Sequence, residues 1–216
     1  GTRPEQKTLT GTLKSIALKA IKSNFKNPAV IIVGKVVKLR QKLAWVEKKP
    51  LYGKRIVVTR SREQASVLSQ ETARLGGEPL EFPTIKIIPP ENFSSLDKAI
   101  DKITSFNWII FTSVNGVKAF FNRFKFLNKD IRELQGIKLC AIGPVTKKLI
   151  EDMGLHVDYI PPKFIAEEIV TGLSEFIKPG DKILLPRADI ARQVLPRSLQ
   201  ELGVMVEEIP VYRTVT

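Results

Sequence analysis

Trp108-Ile109-Ile110-Phe111-Thr112-Ser113-Val114-Asn115-Gly116 reads as a short apolar strand that ends in two hydroxyl residues and turns directly into a helix. The same passage from an apolar run to a small or polar turn recurs at Val58-Thr59-Arg60-Ser61 and at Ile142-Gly143-Pro144. Working outward, candidate strands fall at Arg55–Thr59, Pro83–Ile88, Trp108–Thr112, Lys138–Ile142, Val157–Ile160, Lys182–Leu185 and Val204–Tyr212, with helical stretches between most of them. This alternation predicts parallel sheets covered by helices, an α/β fold. In such sheets ligands bind outside the carboxyl ends of the strands. Helix N-termini there offer free N–H groups and the positive end of a dipole, both suited to carboxylates.

A repeat lies inside this pattern. A shift of 127 residues lays 53–86 on 180–213 without a gap, with 9 identities in 34 positions. Gly53 falls on Gly180, Ile56 on Ile183, Arg60 on Arg187, Val67-Leu68 on Val194-Leu195, Leu75-Gly76 on Leu202-Gly203, and Glu81 and Pro83 on Glu208 and Pro210. Any two strand–helix–strand units share glycine turns and apolar strands, but coincident Arg, Leu-Gly and Glu-x-Pro at one offset favour a true repeat. The first copy is followed by the Thr112-Ser113 and Gly143-Pro144 turns, whereas the second stops at Thr216 before any equivalent. The expectation is a chain cut within its second lobe, and its start at Gly1 rather than Met fits a fragment.

Residues 1–50 read differently. A helix is expected from Thr8 to about Ser23, broken at Asn27-Pro28, then a buried strand Ala29–Val33 and a second helical stretch through Leu39, Leu43 and Trp45. Glu47-Lys48-Lys49-Pro50 reads as a linker. Of the net charge of +13, this segment carries +10, from 12 basic and 2 acidic residues. Such a segment fits a polyanionic partner, including a small polycarboxylate, or simply a solvated helix face. No zinc-finger or RNA-recognition signature accompanies it, so no nucleic-acid partner is expected. No apolar run reaches membrane-spanning length, so no membrane partner is expected either. The single Cys140 and single His156 rule out an internal disulfide, argue against a Cys/His metal site or catalytic pair, and fit a reducing, cytoplasmic setting.

Across 53–216 the chain resembles uroporphyrinogen-III synthase. The matching motifs are Gly53–Arg60, Phe82-Pro83-Thr84-Ile85, Phe111–Val117, Ala141–Thr146, Ala166-Glu167, Leu185-Pro186-Arg187-Ala188 and Val211–Val215, in the family's order and spacing. Residues 1–47 resemble the end of a uroporphyrinogen-III C-methyltransferase, through Gly1–Gln6, Gly11-Thr12-Leu13, Pro28-Ala29, Val33–Val37, Leu39-Arg40 and Leu43-Ala44-Trp45. Together they imply a bifunctional methyltransferase/synthase fusion from tetrapyrrole biosynthesis. Its parts are a methyltransferase remnant at 1–47, a linker at 48–52 and the synthase at 53–216. Within the synthase, 53–82 belongs to an incomplete lobe and 83–213 holds the connector strands and the complete lobe.

The resemblance implies two α/β lobes joined by a two-stranded connector, formed by strands near Phe82–Ile87 and Ile209–Thr214, preceded by an α/β remnant of the methyltransferase. It implies conversion of hydroxymethylbilane to uroporphyrinogen III, with loss of water and inversion of ring D, and no cofactor or metal for the synthase. Tyr212 falls where the family's favoured catalytic helper stands; a tyrosine that merely packs between lobes is the alternative. Thr112, Ser113, Asn115, Thr146 and the backbone at Ala166-Glu167 are the expected substrate donors. Arg60 and Arg187 either add charge to the site or serve sheet-edge structure. Gly1 corresponds to a glycine that lies against S-adenosylmethionine in the parent methyltransferase, most of whose site would precede it. The other expected partners are the flanking domains of the same polypeptide. A non-enzymatic two-lobed ligand-binding or regulatory protein of the same fold stands as the alternative function.

Overall fold

The computed structural model describes residues 5–60 and 62–216, the side chains of 62–65 excepted. The chain divides into two compact units after Lys86. Within the first, the basic segment forms only short helical pieces, α1 (Ile16–Lys22) and α2 (Arg40–Leu43), the latter set between 3-10 turns at Lys35–Leu39 and Val46–Lys48. The expected buried strand Ala29–Val33 is absent from this unit: Val30 and Ile31 are 89% and 86% exposed. An apolar run becomes a strand only where a neighbour can take its backbone hydrogen bonds, and none lies beside it. Among its described residues the segment therefore holds helical pieces and no strand, where the sequence suggested α/β, and its first helix begins at Ile16 rather than Thr8.

The repeat begins after this segment. β1 (Arg55–Val58), α3 (Arg62–Arg74) and β2 (Glu78–Glu81) make one strand–helix–strand unit. β1 and β2 pair in parallel, Arg55 opposite Glu78 through Val58 opposite Glu81. β2 was not expected from the sequence: Pro79 and two flanking glutamates hide a strand of four residues.

The second unit holds a five-stranded sheet. Its elements are β3 (Lys86–Ile88), α4 (Ser94–Asp101), β4 (Trp108–Phe111), α5 (Val114–Phe126), β5 (Lys138–Ala141), α6 (Pro144–Glu151), α7 (Ala166–Leu173), β6 (Lys182–Ala188), α8 (Val194–Glu201) and β7 (Met205–Val215). The strand order is β3-β7-β6-β4-β5, with β4, β5, β6 and β7 all parallel. The β3 strand, expected from Pro83, starts at Lys86 and lies beside β7. The expected strand Val157–Ile160 is reduced to one parallel bridge between Cys140 and Tyr159.

Alternation along the strands sorts the core onto two faces. Ile109, Phe111, Leu139, Ala141, Leu184 and Val211 pack with Leu96, Ile100, Phe120 and Phe124 from α4 and α5. Trp108, Ile110, Cys140, Ile183 and Leu185 pack with Ile169, Leu173, Leu195 and Leu199 from α7 and α8. All four residues of β4 are buried, as a central parallel strand covered on both faces requires. Parallel sheets flanked by helices are what the sequence led us to expect.

The second copy of the repeat is β6, α8 and β7. Lys182 lies opposite Met205, and Leu185 opposite Glu208. These pairs reproduce the register of Arg55 with Glu78 and Val58 with Glu81 at the same offset. Gly76 and Gly203 end the two helices with positive φ of 88° and 80°, a conformation open to glycine without strain.

Candidate functional site

Because β4 to β7 run the same way, their carboxyl ends share one edge of the sheet. Three helices begin at that edge. α5 starts at Ser113, whose side chain caps it by accepting from the Gly116 N–H at 3.0 Å. α6 starts after Gly143, with Pro144 in its first turn. α7 starts after Ile165, beyond the Tyr159 bridge.

The first backbone bonds of these helices run from Val117 to Ser113, Lys147 to Gly143 and Ile169 to Ile165. The N–H groups ahead of them have no partner within the helix. They belong to Val114, Asn115, Val145, Thr146, Ala166, Glu167 and Glu168; Gly116 is occupied by the cap, and Pro144 has no N–H. Together they make a row of donors along one edge.

Gly116 shows how tightly the first turn of α5 sits on the sheet. A Cβ there would lie 2.9 Å from the Pro186 carbonyl oxygen of β6, inside contact distance. Glycine is therefore required at this position by the close approach of two backbones.

Tyr212 comes to the same place from the end of β7. It pairs in register with Ala188, its ring joins the core, and it is 9% exposed. Its hydroxyl lies 3.1 Å from Ser113 Oγ, across 99 residues of sequence. Thr112 and Asn115 are half-buried in the same turn, and Thr146 is buried in the first turn of α6. Ala166 is half-buried and Glu167 exposed at the start of α7.

The two repeat arginines part company. Arg187 is 3% exposed and faces inward, donating through one terminal nitrogen to the Arg192 carbonyl. Its Nε lies 3.1 Å from Glu208 Oε1, close enough for an ion pair but off the N–H direction, so the bond itself is not made. Burial pushes the guanidinium below its ordinary value, against the opposing pull of Glu208 and Tyr212. Arg60, its counterpart, is exposed in the first unit, where Glu81 instead accepts from Ser69 at 2.6 Å. Arg187 thus holds the turn after β6 in place and has little charge free for a ligand. Gly1, named from the methyltransferase resemblance, lies outside the described residues.

Other chemistry is sparse. Burial pushes the Cys140 thiol well up, which removes it as a nucleophile. Among the described residues, no group of three His, Cys, Asp or Glu could hold a metal, and no helix is long and apolar enough to cross a membrane. A shallow depression in the first unit is lined by Gln6, Arg40, Leu43, Glu47 and Tyr52, but Arg40 is already paired with Glu47 at 2.6 Å. Sequence reasoning found the turns but not the pairing of Ser113 with Tyr212 or the burial of Arg187. Neither has a local signal, because both arise from strand neighbours far apart in the chain.

Residues 66–216 match the family model described as "Uroporphyrinogen-III synthase HemD". A porphyrin biosynthesis protein HemD of Ruminiclostridium josui is 34% identical over 214 residues, 99% of this chain and 42% of the relative. A uroporphyrinogen-III C-methyltransferase of Bacillus subtilis is 32% identical over 162 residues, 75% of this chain and 32% of the relative. A mutant uroporphyrinogen III synthase from Thermus thermophilus shares the fold at TM-score 0.58 and 18% identity, over 75% of this chain and 63% of that one. The chain thus spans less than two thirds of the length of each. With a family model covering most of its residues and the fold to match, the chain belongs to the uroporphyrinogen-III synthase family.

Proposed function

We propose that the second unit binds a linear tetrapyrrole carrying many carboxylates along the carboxyl edge of its sheet, as part of a uroporphyrinogen-III synthase. The observation that carries this reading is the meeting of three helix N-termini with Ser113 and Tyr212 on that one edge. Hydroxymethylbilane presents eight carboxylates, and a row of backbone N–H groups orients such a ligand without strong acids or bases. The substrate loses its hydroxyl readily, because the cation left behind is stabilised by resonance. The protein's task is then to fold the chain so that the correct ring carbon is attacked.

In this reading Tyr212 supplies a proton to the departing hydroxyl, so that the C–O bond breaks and water leaves. The cation is attacked by the substituted α-carbon of ring D to give a spiro intermediate. The bond from that carbon to the ring C bridge then breaks and re-forms at the other α-carbon of ring D, which inverts the ring and completes the macrocycle. The proton lost there balances the one that Tyr212 gave. The net change is loss of one water. No metal or cofactor enters these steps. Arg60 and Arg187 are secondary to the N–H donors, Arg187 because its guanidinium is engaged with Glu208 and Arg192.

We further propose that the chain derives from a methyltransferase/synthase fusion whose methyltransferase part uses S-adenosylmethionine. Its proposed division is 1–47 for the methyltransferase remnant, 48–52 for the linker, 53–82 for part of one lobe and 83–213 for the connector and complete lobe. The likeness to the Bacillus subtilis methyltransferase supports this: an alignment of 162 residues cannot fit within residues 1–65, so it runs into the stretch that the synthase model matches. The flanking domains of that polypeptide are the proposed partners, and the cytoplasm the proposed setting.

The test supplies hydroxymethylbilane to the chain and to the longest open reading frame that contains it, then separates type I from type III isomers by chromatography. Type III from the longer protein is the expected result. Type I alone from a folded longer protein would remove the synthase reading. Tyr212→Phe in the active protein is expected to lower turnover without unfolding it; unchanged turnover would take Tyr212 out of the mechanism.

A further inference from the structure

We propose that Ser113 is a positioning residue for the Tyr212 phenol, and that its hydroxyl proton is donated to the phenol oxygen. The inference rests on the synthase reading above and gives Ser113 a different task from the substrate contact expected of it.

The geometry fixes the serine oxygen from several sides. Ser113 is the extended N-cap of α5, with φ −163° and ψ 153°. One lone pair of Oγ accepts the Gly116 N–H at 3.0 Å. The backbone that carries this N–H lies close against β6, with the Pro186 carbonyl oxygen 2.9 Å from where a Cβ on Gly116 would stand. Tyr212 is held as firmly: its ring lies in the core, and its carbonyl accepts from the Asp189 N–H at 3.2 Å. Two anchored hydroxyls therefore face each other at 3.1 Å.

A hydroxyl has one proton to give and two lone pairs. Ser113 has spent one lone pair on the cap, and its proton has Tyr212 as its nearest acceptor among the described hydrogen bonds. When Ser113 donates, the phenol keeps its own proton free to point out toward a departing hydroxyl. As that proton leaves, the serine bond strengthens, because it meets a growing negative charge. The cap and the phenol are thus coupled through one atom, so the start of α5 and the end of β7 are set together.

Two double-mutant cycles test this. In the chain itself, Ser113→Ala and Tyr212→Phe are compared singly and together by urea unfolding, a reading that does not depend on turnover. The double variant should lose clearly less than the sum of the two midpoint shifts; additive shifts would deny the contact. In the active reading frame, Ser113→Ala should lower kcat with little change in KM, and should have no further effect once Tyr212 is Phe. Full, multiplying losses in the double variant would overturn the positioning role.

Two further variants separate this role from capping. Ser113→Thr keeps both the cap and the donor, and should recover most of kcat. Ser113→Asp keeps the cap acceptor and the fold but has no proton to give, and should not recover it. Recovery by Asp would show that capping is all that Ser113 does. A wild-type reading frame that forms no type III isomer would instead sink the synthase reading, and the mechanistic role of Ser113 with it, whatever the unfolding cycle shows.

Discussion

The two copies of the repeat share their strand register but not their surroundings. In the second copy, β6 lies between β7 and β4, and Leu184 and Leu185 are fully buried. In the first, β1 and β2 form a sheet of their own, and Val57 and Leu80 are 55% and 49% exposed. The helices differ as well: half-exposed Leu68 of α3 stands where Leu195 is buried in α8, and Thr72, though buried, puts a smaller, polar side chain where Leu199 stands. The backbone plan is thus carried by glycines and strand spacing, while burial depends on which further elements lie alongside. Equivalent residues then acquire unequal roles.

The comparison is sharpest in the core. Leu199→Ala removes a fully buried side chain and should cost about 2–5 kcal/mol in denaturant unfolding. Thr72→Ala at the matching position removes far less buried apolar volume and should cost about 1 kcal/mol. Equal losses would mean that the two copies are packed alike after all.

The arginines come next. Arg187→Met leaves Glu208 without its buried partner and the Arg192 carbonyl without its donor, and should cost about 2–3 kcal/mol. Arg60→Met, at an exposed site, should stay within about 0.5 kcal/mol. A loss at Arg60 matching that at Arg187 would show a buried pair in both copies.

A smaller effect is expected at the bare face of the first copy. Val57→Thr should change stability by no more than about 0.5 kcal/mol, since most of that side chain already meets water. A large loss, read by the same denaturation, would place a cover over this strand.

The smallest effect is in acid. The Arg123 guanidinium, bonded to Asp97 through two nitrogens at 2.7 and 2.6 Å, holds that carboxyl below its ordinary range. A carboxyl lowered by folding stabilises the folded state above its ordinary value, and the contribution is lost as the pH falls through the folded one. Stability of the second unit should therefore decline below about pH 4, and Asp97→Asn should flatten that decline. An unchanged slope would deny the pair any role.

Much of this was legible in the sequence. The offset of 127 residues between the two copies is matched by equal strand registers in the structure, although β2 itself was not expected. The turns at Thr112-Ser113 and Gly143-Pro144 foretold the starts of α5 and α6. Pairing was not legible. Ala29–Val33 has a strand's composition but no neighbour, and Val157–Ile160 finds a neighbour only at Tyr159. Nor did the sequence show that Arg187 would turn inward or that Ser113 would meet Tyr212, because both depend on strands brought together from distant parts of the chain.

The central claim is that a polycarboxylate binds along the carboxyl edge of the second unit. It is tested most directly by following backbone amide resonances of the chain while uroporphyrinogen III is added under reducing conditions. The account expects the largest shifts at Val114, Asn115, Val145, Thr146, Ala166, Glu167 and Glu168, the unpartnered donors of three helices. Shifts confined to the basic residues before 50, or none at all from a folded chain, would contradict it.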